Sequence, residues 1–109
     1  MSEQADITVS IVGFVMQHQP NIIAFELRDA FGKAWQFHEK VPMVSFADLD
    51  EHSCYPASGS LQCTVIKRYL DGDGRLLATI DTASPGLIET VDGEHVFTVE
   101  ADRLRFLEA

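Results

Sequence analysis

The stretch LQCTVIKRYLDGDGRLLATI, residues 61–80, decides the fold that the sequence predicts. Its first half, residues 61–70, alternates apolar and polar side chains with the period of two that is typical of a strand with one buried face. Two Asp-Gly steps follow at 71–74, and Asp-Gly between apolar runs is the strongest short-range signal of a β-hairpin. Residues 76–80 then return with apolar side chains at alternate positions. This part of the chain is therefore predicted to be an antiparallel hairpin.

Strand-like alternation also runs through the first forty residues, at 7–11, 23–27 and 35–37. Turn-forming residues separate these runs, so they predict two antiparallel hairpins. Trp35 and Phe37 share one face of the third strand, and we expect both to pack in the core. Gly13 interrupts the first strand, and a glycine within a strand often marks a bulge where a barrel or roll bends.

The middle of the chain is less regular. Residues 41–44 are predicted to form a short edge strand, because sheets tolerate proline chiefly at edges and strand starts. Ser45 followed three positions later by Asp48 predicts one short helical turn near 45–51. Residues 53–59 contain proline and glycine, and they are predicted to be a loop.

The C-terminal third continues the strand pattern. Short strands are predicted at 87–91 and 96–99, with Asp-Gly at 92–93 as the turn between them. For the tail, 101–108, periodicity does not decide between a strand and a short helix. The whole pattern predicts one β-rich domain over 1–109. We expect an all-β fold, a small antiparallel barrel or roll of about seven to eight short strands.

Acidic residues outnumber basic ones by 17 to 8, which gives a net charge of -9. Such a charge repels phosphate backbones and anionic lipid surfaces, so neither nucleic acid nor a membrane is the expected partner. No apolar run approaches the length of roughly 20 residues that spans a bilayer, and the first residues lack the features of a signal peptide. We therefore expect a cytoplasmic protein in which Cys54 and Cys63 remain thiols.

The candidate motifs for metal or cofactor chemistry do not meet the requirements of that chemistry. Residues 71–82 begin like a calcium loop, but the sixth position is Leu76 instead of glycine and the twelfth is Thr82 instead of glutamate. His52 and Cys54 form an H-x-C pair without the second close pair of ligands that structural zinc sites present. Glycine-rich phosphate loops do not occur. The expectation is no metal, no cofactor and no catalytic residue.

Acidic residues cluster at Asp48, Asp50 and Glu51, without a basic residue between them. Similar clusters occur at Glu89, Asp92 and Glu94 and at Glu100 and Asp102. One explanation is solubility, since a negative surface keeps a small domain soluble. The other is that the cluster at 48–51 binds a protein with a basic surface, with Phe46 and Tyr55 as exposed apolar anchors beside the charged rim.

The stretch 37–99 resembles short, uncharacterised bacterial all-β proteins. The similarity rests on FHEKVP at 37–42, Tyr55-Pro56 with Gly59, and Ile80-Asp81-Thr82 with Pro85, Ile88-Glu89 and Asp92-Gly93. It implies an all-β fold and no established activity. Compact acidic proteins of bacterial toxin and immunity systems are similar in size and charge, by analogy only. The first hypothesis is therefore a non-catalytic protein-binding domain, of the kind that inhibits a basic toxin such as a nuclease.

Two other classes of function stay open at this point. The first is a small-molecule-binding or enzymatic barrel with a pocket lined by Trp35, His38, His52 and Cys54, which would need an apolar cavity with convergent polar groups. The second is a structural subunit of a homo-oligomer, in which a strand edge near Pro42 or in the tail pairs with another copy.

Overall fold

The computed structural model describes residues 3–106, and within them every regular element is a β-strand or a short 3-10 turn. The strands are β1 (Glu3–Met16), β2 (Ile22–Arg28), β3 (Ala34–Lys40), β4 (Ala57–Leu70), β5 (Leu76–Asp81), β6 (Val96–Glu100) and β7 (Leu104–Phe106). The 3-10 turns lie at Val41–Met43 and Ala101–Arg103. The predicted all-β antiparallel fold is confirmed, with seven strands in the described part of the chain.

All of these strands belong to one sheet that curls into a half-barrel, in the order β3-β2-β1-β4-β5-β6, with β7 added to β1. β1 is the central strand. One of its edges pairs with β4, and the other pairs first with β7 and then with β2. The predicted bulge is present, as a register shift between Ile11 and Gly13 in the ladder of β1 and β2. Because a bulge bends its strand and increases the local twist, it helps the sheet to curl.

Aromatic rings bring the two end strands of the ladder, β3 and β6, together. Phe25 and Phe37 are fully buried and stack with their centroids 4.7 Å apart. Phe97 on β6 meets Phe37 edge-on at 5.9 Å and Trp35 at 5.2 Å. The expectation that Trp35 and Phe37 pack in the core holds fully for Phe37, whereas Trp35 is half-buried at the margin of the cluster. Side-chain packing thus holds the curled sheet together where no strand ladder does.

The helical turn predicted near 45–51 and the edge strand predicted at 41–44 are both wrong. The chain instead forms the 3-10 turn Val41–Met43. Pro42 lies in the first positions of this turn, where its fixed φ is suitable and its missing N–H would have had no intrahelical partner. The Ser45 hydroxyl accepts a hydrogen bond from the N–H of Ala47 at 3.1 Å, so it stabilises a local turn and caps no helix.

The strand predicted at 87–91 is also wrong. Leu87 has a φ of 57°, a left-handed conformation that interrupts any strand. The buried hydroxyl of Thr82 donates to the carbonyl of Ile88 at 2.7 Å and holds the segment in place as a loop. In the tail, a 3-10 turn is followed by β7, so both predicted alternatives occur in part, while residues 107 and 108 lie outside the described residues.

A charged pair joins the end of β5 to the segment that leads into β6. His95 Nδ1 lies 2.8 Å from Asp81 Oδ1, and the protonated imidazole donates to that carboxylate. This hydrogen bond raises the pKa of His95 above its ordinary value of 6.5, against an opposing effect of burial. The negative charges of Asp81, Glu89 and Glu94 raise it further. The folded chain therefore binds this proton more tightly than the unfolded chain does.

We expect this pair to make stability depend on pH. Because the pKa of His95 is raised in the folded state, its stabilising contribution is complete below the unfolded value and is lost as the pH rises through the folded value. His95→Gln should therefore reduce the free energy of unfolding more at about pH 5.5 than at about pH 8.5. Urea unfolding followed by Trp35 fluorescence measures this difference, and Asp81→Asn should show the same dependence on pH. A deficit that is equal at both pH values would contradict it.

Candidate functional site

The chain leaves the first 3-10 turn through residues 44–51, which we call the Phe46 loop. Its start is attached to the sheet, because Val44 is buried and its carbonyl accepts a hydrogen bond from the N–H of Ser60 on β4 at 2.8 Å. Gly59 permits this close approach, since a Cβ at that position would lie 2.9 Å from the Val44 carbonyl oxygen. β4 begins at Ala57, inside the segment predicted as a loop, and so supplies a rigid base for the Phe46 loop.

Phe46 projects from this loop into solvent. Its relative exposure is 111%, the largest among the exposed large hydrophobic residues of the described chain. Together with Ser45 it lines two depressions, one of about 440 Å³ and one of about 510 Å³. We call Ser45 and Phe46 the ridge, because no other residue lines both depressions. The sheet beneath the loop thus presents a single aromatic ring between two concave surfaces.

The first depression, of about 440 Å³, lies between the turn after β1 and residues 47–50 of the Phe46 loop, and we call it the acidic depression. Asp48 and Asp50 both line it and both are exposed. One oxygen of Asp50 accepts hydrogen bonds from the N–H of His52 at 2.8 Å and from the Ser53 hydroxyl at 3.3 Å. Asp50 therefore shares its charge with a local turn, whereas Asp48 is an exposed residue at the lining of the depression.

Glu51 and Tyr55 have different surroundings from those two acids. Glu51 is exposed beyond the acidic depression, and its carboxylate lies 3.4 Å from His52 Nε2. Tyr55 is half-buried against the core, and its hydroxyl donates to the carbonyl of Asp50 at 2.7 Å. The expectation of two exposed aromatic anchors thus holds for Phe46 alone. Tyr55 stabilises the loop that carries the acidic residues.

The second depression, of about 510 Å³, lies on the outer face of β1, β4 and β7, and we call it the arginine groove. Arg103 and Arg105 line it. Arg103 donates to the backbone carbonyl of Thr8 at 3.0 Å and also to that of Arg28. Arg105 is exposed and lies 3.4 Å from the carboxylate of Asp6. The site therefore has acidic groups on one side of the ridge and guanidinium groups on the other.

The sequence analysis did not identify the arginine groove. Its residues come from strands that are distant in sequence, with Asp6 opposite Arg105 and Thr8 opposite Ser60 in the ladders of β1. The only sequence signal is the i, i+2 spacing of Arg103 and Arg105, which would place both side chains on one face if the segment were a strand. That signal does not indicate which strand lies beside β7. In the structure Arg103 ends the second 3-10 turn and Arg105 lies on β7.

The residues of the alternative pocket are not brought together. Trp35 is half-buried on β3, where its Nε1 donates to Asp29 at 2.9 Å and the Lys33 ammonium lies 3.8 Å from its ring centroid. His38 is exposed on β3, while His52 and Cys54 are exposed in the connection before β4. A depression of about 300 Å³ includes His52, but it includes none of the other three. Within residues 3–106, no group of three or more His, Cys, Asp or Glu side chains is arranged to hold a metal ion.

The two cysteines differ in burial, since Cys54 is exposed and Cys63 is buried. Burial, reinforced by the charges of Asp6 and Asp81, raises the pKa of Cys63 to about 12. Cys54 is exposed, and both thiols are free. Because the thiolate is the reactive form, a disulfide reagent should modify one thiol in the native protein and the second only after denaturation. Thiol counting checks this, with Cys54→Ser expected to abolish the native reaction. Two thiols that react equally fast in the native protein would contradict it.

Comparisons with protein-family models, with curated proteins and with solved structures found no significant match for this chain. Among residues 3–106, no helix has the length and apolar character needed to span a bilayer. The Phe46 loop and the charges around it are the features of the described chain that bear on its function.

Proposed function

We propose that this chain is an acidic, non-catalytic protein-binding domain whose Phe46 loop binds a partner with a basic surface. The observation that carries the proposal is the ring of Phe46, which is fully exposed two residues after Val44, a buried residue whose carbonyl is hydrogen-bonded to β4. Aromatic side chains are enriched among the few residues that dominate binding energy. A ring presented from a fixed base also loses less conformational entropy on binding.

The acidic residues around Phe46 support a basic partner. Asp48, Asp50 and Glu51 are exposed on the same loop, and the chain carries a net charge of -9. Complementary charge speeds association and discriminates among partners. The same charge disfavours nucleic acid and anionic membranes as ligands.

A basic toxin such as a nuclease is the partner class that we propose, by analogy with immunity proteins of similar size and charge. In this role the domain would act in the cytoplasm, where Cys54 and Cys63 stay reduced. Both cysteines are free thiols in the structure.

The contribution of Phe46 is tested with the partner captured from a native lysate at low ionic strength and identified by mass spectrometry. Phe46→Ser should then weaken the dissociation constant by roughly 10- to 30-fold, as expected for an aromatic hot spot. The matched control is Phe31→Ser, since Phe31 is also an exposed phenylalanine, at 72%, on the turn between β2 and β3. Unchanged affinity of the Phe46 variant would remove the proposal, as would an equal loss in the control.

The contribution of charge is tested with two triple variants that change the net charge equally. One replaces Asp48, Asp50 and Glu51 by lysine, and the other replaces Glu89, Asp92 and Glu94 by lysine. Each variant changes three side chains by two charges each, so its net charge rises by 6, from -9 to -3. The loop variant should associate more slowly and show weaker salt dependence than the control variant. Equal rates for the two variants would mean that the basic partner does not contact the Phe46 loop.

A further inference from the structure

The surface around Phe46 has opposite charges on its two sides. Asp48 and Asp50 line the acidic depression, while Arg103 and Arg105 line the arginine groove together with one acidic residue, Asp6, whose carboxylate lies 3.4 Å from Arg105. The ridge lies between them with the exposed ring of Phe46. The chain has only 8 basic residues, so the presence of two of them in the groove next to the acidic depression is a specific feature of this face.

Such a surface is complementary to itself. In a two-fold dimer the same patch faces its own copy, so that residue i of one protomer contacts residue j of its partner and j contacts i. A two-fold axis near Phe46 would place the acidic depression of one protomer over the arginine groove of the other, twice. The two Phe46 rings would then meet near the axis and lose their exposure to water.

We propose that a second copy of this chain occupies this surface when no other partner does, as a two-fold dimer centred on Phe46. The inference goes beyond the proposed function, which concerns only a foreign basic protein. A dimer of this kind hides the Phe46 loop. A basic partner would therefore have to displace one protomer in order to bind.

The size and charge of the chain set the conditions for this dimer. An interface of ordinary size covers roughly 800 Å² on each partner, about one eighth of the 6652 Å² of this molecule. The dimer must therefore cover both depressions and the ridge. The net charge of -9 on each protomer opposes association at long range. At an ionic strength of about 0.15 M the Debye length is about 8 Å, so this repulsion is reduced while the direct contacts in the interface are retained.

Analytical ultracentrifugation of the full chain tests the dimer, over about 1 µM to 1 mM protein at an ionic strength of about 0.15 M. The wild type should change from monomer to dimer within this range, and Phe46→Ser should stay monomeric. Asp48→Lys alone and Arg105→Glu alone should each weaken the dimer at least about tenfold, because each variant places like charges opposite each other in both copies of the contact.

Mixing the two single variants is the decisive measurement. In a heterodimer of Asp48→Lys with Arg105→Glu, both contacts join opposite charges, so the mixture should dimerise although neither variant does so alone. The control pair is Glu89→Lys and Lys67→Glu, which changes exposed residues outside this surface by the same charges. These controls should dimerise like the wild type, alone and mixed.

The outcomes also separate this inference from the proposed function. The proposed dimer is contradicted if the wild type stays monomeric at about 1 mM, a concentration that detects even weak association. It is also contradicted if Phe46→Ser still dimerises or if the mixture fails to associate. If the protein stays monomeric but still captures a basic partner, the proposed function stands and the dimer does not. If it dimerises but captures no basic partner, the dimer stands and the proposed function does not.

Discussion

Phe37→Ala is expected to lower the free energy of unfolding by about 3–5 kcal/mol, the cost of truncating a large buried aromatic side chain. Phe37 is fully buried, stacks on Phe25 and meets Phe97 edge-on. The substitution removes the ring that links the two end strands of the sheet, and it leaves a cavity in the core. The loss should therefore approach the upper end of this range.

Urea unfolding followed by Trp35 fluorescence measures this loss, since Trp35 contacts the same cluster through Phe97. The control is Phe31→Ala, which truncates an exposed phenylalanine and should change the free energy of unfolding by less than about 0.5 kcal/mol. Phe37→Leu should give an intermediate loss, because it keeps much of the apolar volume. A Phe37→Ala variant as stable as the control would show that the rings do not hold the sheet together.

Arg103→Met is expected to lower the free energy of unfolding by about 1–2 kcal/mol, because hydrogen bonds from charged groups contribute more than neutral ones, although water partly replaces the donor of these exposed bonds. The edge of β1 opposite β4 passes from β7 to β2 between Ile7 and Ser10, and within residues 3–106 no strand pairs with that edge there. Arg103 spans this gap by donating to the carbonyls of Thr8 and Arg28. Methionine keeps the apolar stem of the side chain but leaves these carbonyls without their donor.

Hydrogen exchange on β7 gives a second readout of this substitution, since the amides of Leu104–Phe106 should lose protection first. Arg105→Met is the matched control. The Arg105 side chain is 79% exposed and makes a single contact of 3.4 Å with Asp6, so its loss should cost less than about 0.5 kcal/mol. Arg103→Lys should fall between the two, because an ammonium group cannot reproduce the planar donors of a guanidinium. Equal stability of Arg103→Met and Arg105→Met would show that Arg103 does not bridge β1 and β2.

Local chemistry made much of the fold predictable from the sequence. The turn at 71–74 is an example, since one oxygen of Asp71 accepts hydrogen bonds from the N–H groups of Asp73 and Arg75 and Gly74 has a φ of 80°. All of these features depend on residues within five positions of each other. Gly13 and the alternation in the first three strands are local signals of the same kind, although the bulge itself lies in the ladder of β1 with β2.

The errors arose where a contact from outside the segment decides its local conformation. Ser45 has a sequence pattern typical of a helix cap, but the carbonyl of Val44 is bound by Ser60 on β4, and the chain continues as a loop. Residues 87–91 have the composition of a strand, but the buried hydroxyl of Thr82 donates to the carbonyl of Ile88 and holds them as a loop. Neither contact can be inferred from the sequence pattern of the segment that it determines.

The candidate site also has one part that the sequence predicts and one part that it does not. The acidic side was predictable, because Asp48, Asp50 and Glu51 are neighbours in sequence and no tertiary contact is needed to bring them together. The basic side was not, because Arg105 reaches the site only through the register of β7 on β1. The exposure of Phe46 was expected, but the position of its ring between two oppositely charged surfaces depends on the whole sheet.

The position of β1 in the middle of the sheet has a consequence for protein synthesis. β1 is made before β7, yet the Asp6 side chain of β1 meets Arg105, 99 positions later in the chain. At a translation rate of about 5–20 residues per second, β1 would wait roughly 5–20 s on the ribosome before β7 exists to cover its edge. During that interval this edge of β1 lacks its partner β7, and unpaired strand edges make incomplete chains prone to aggregation.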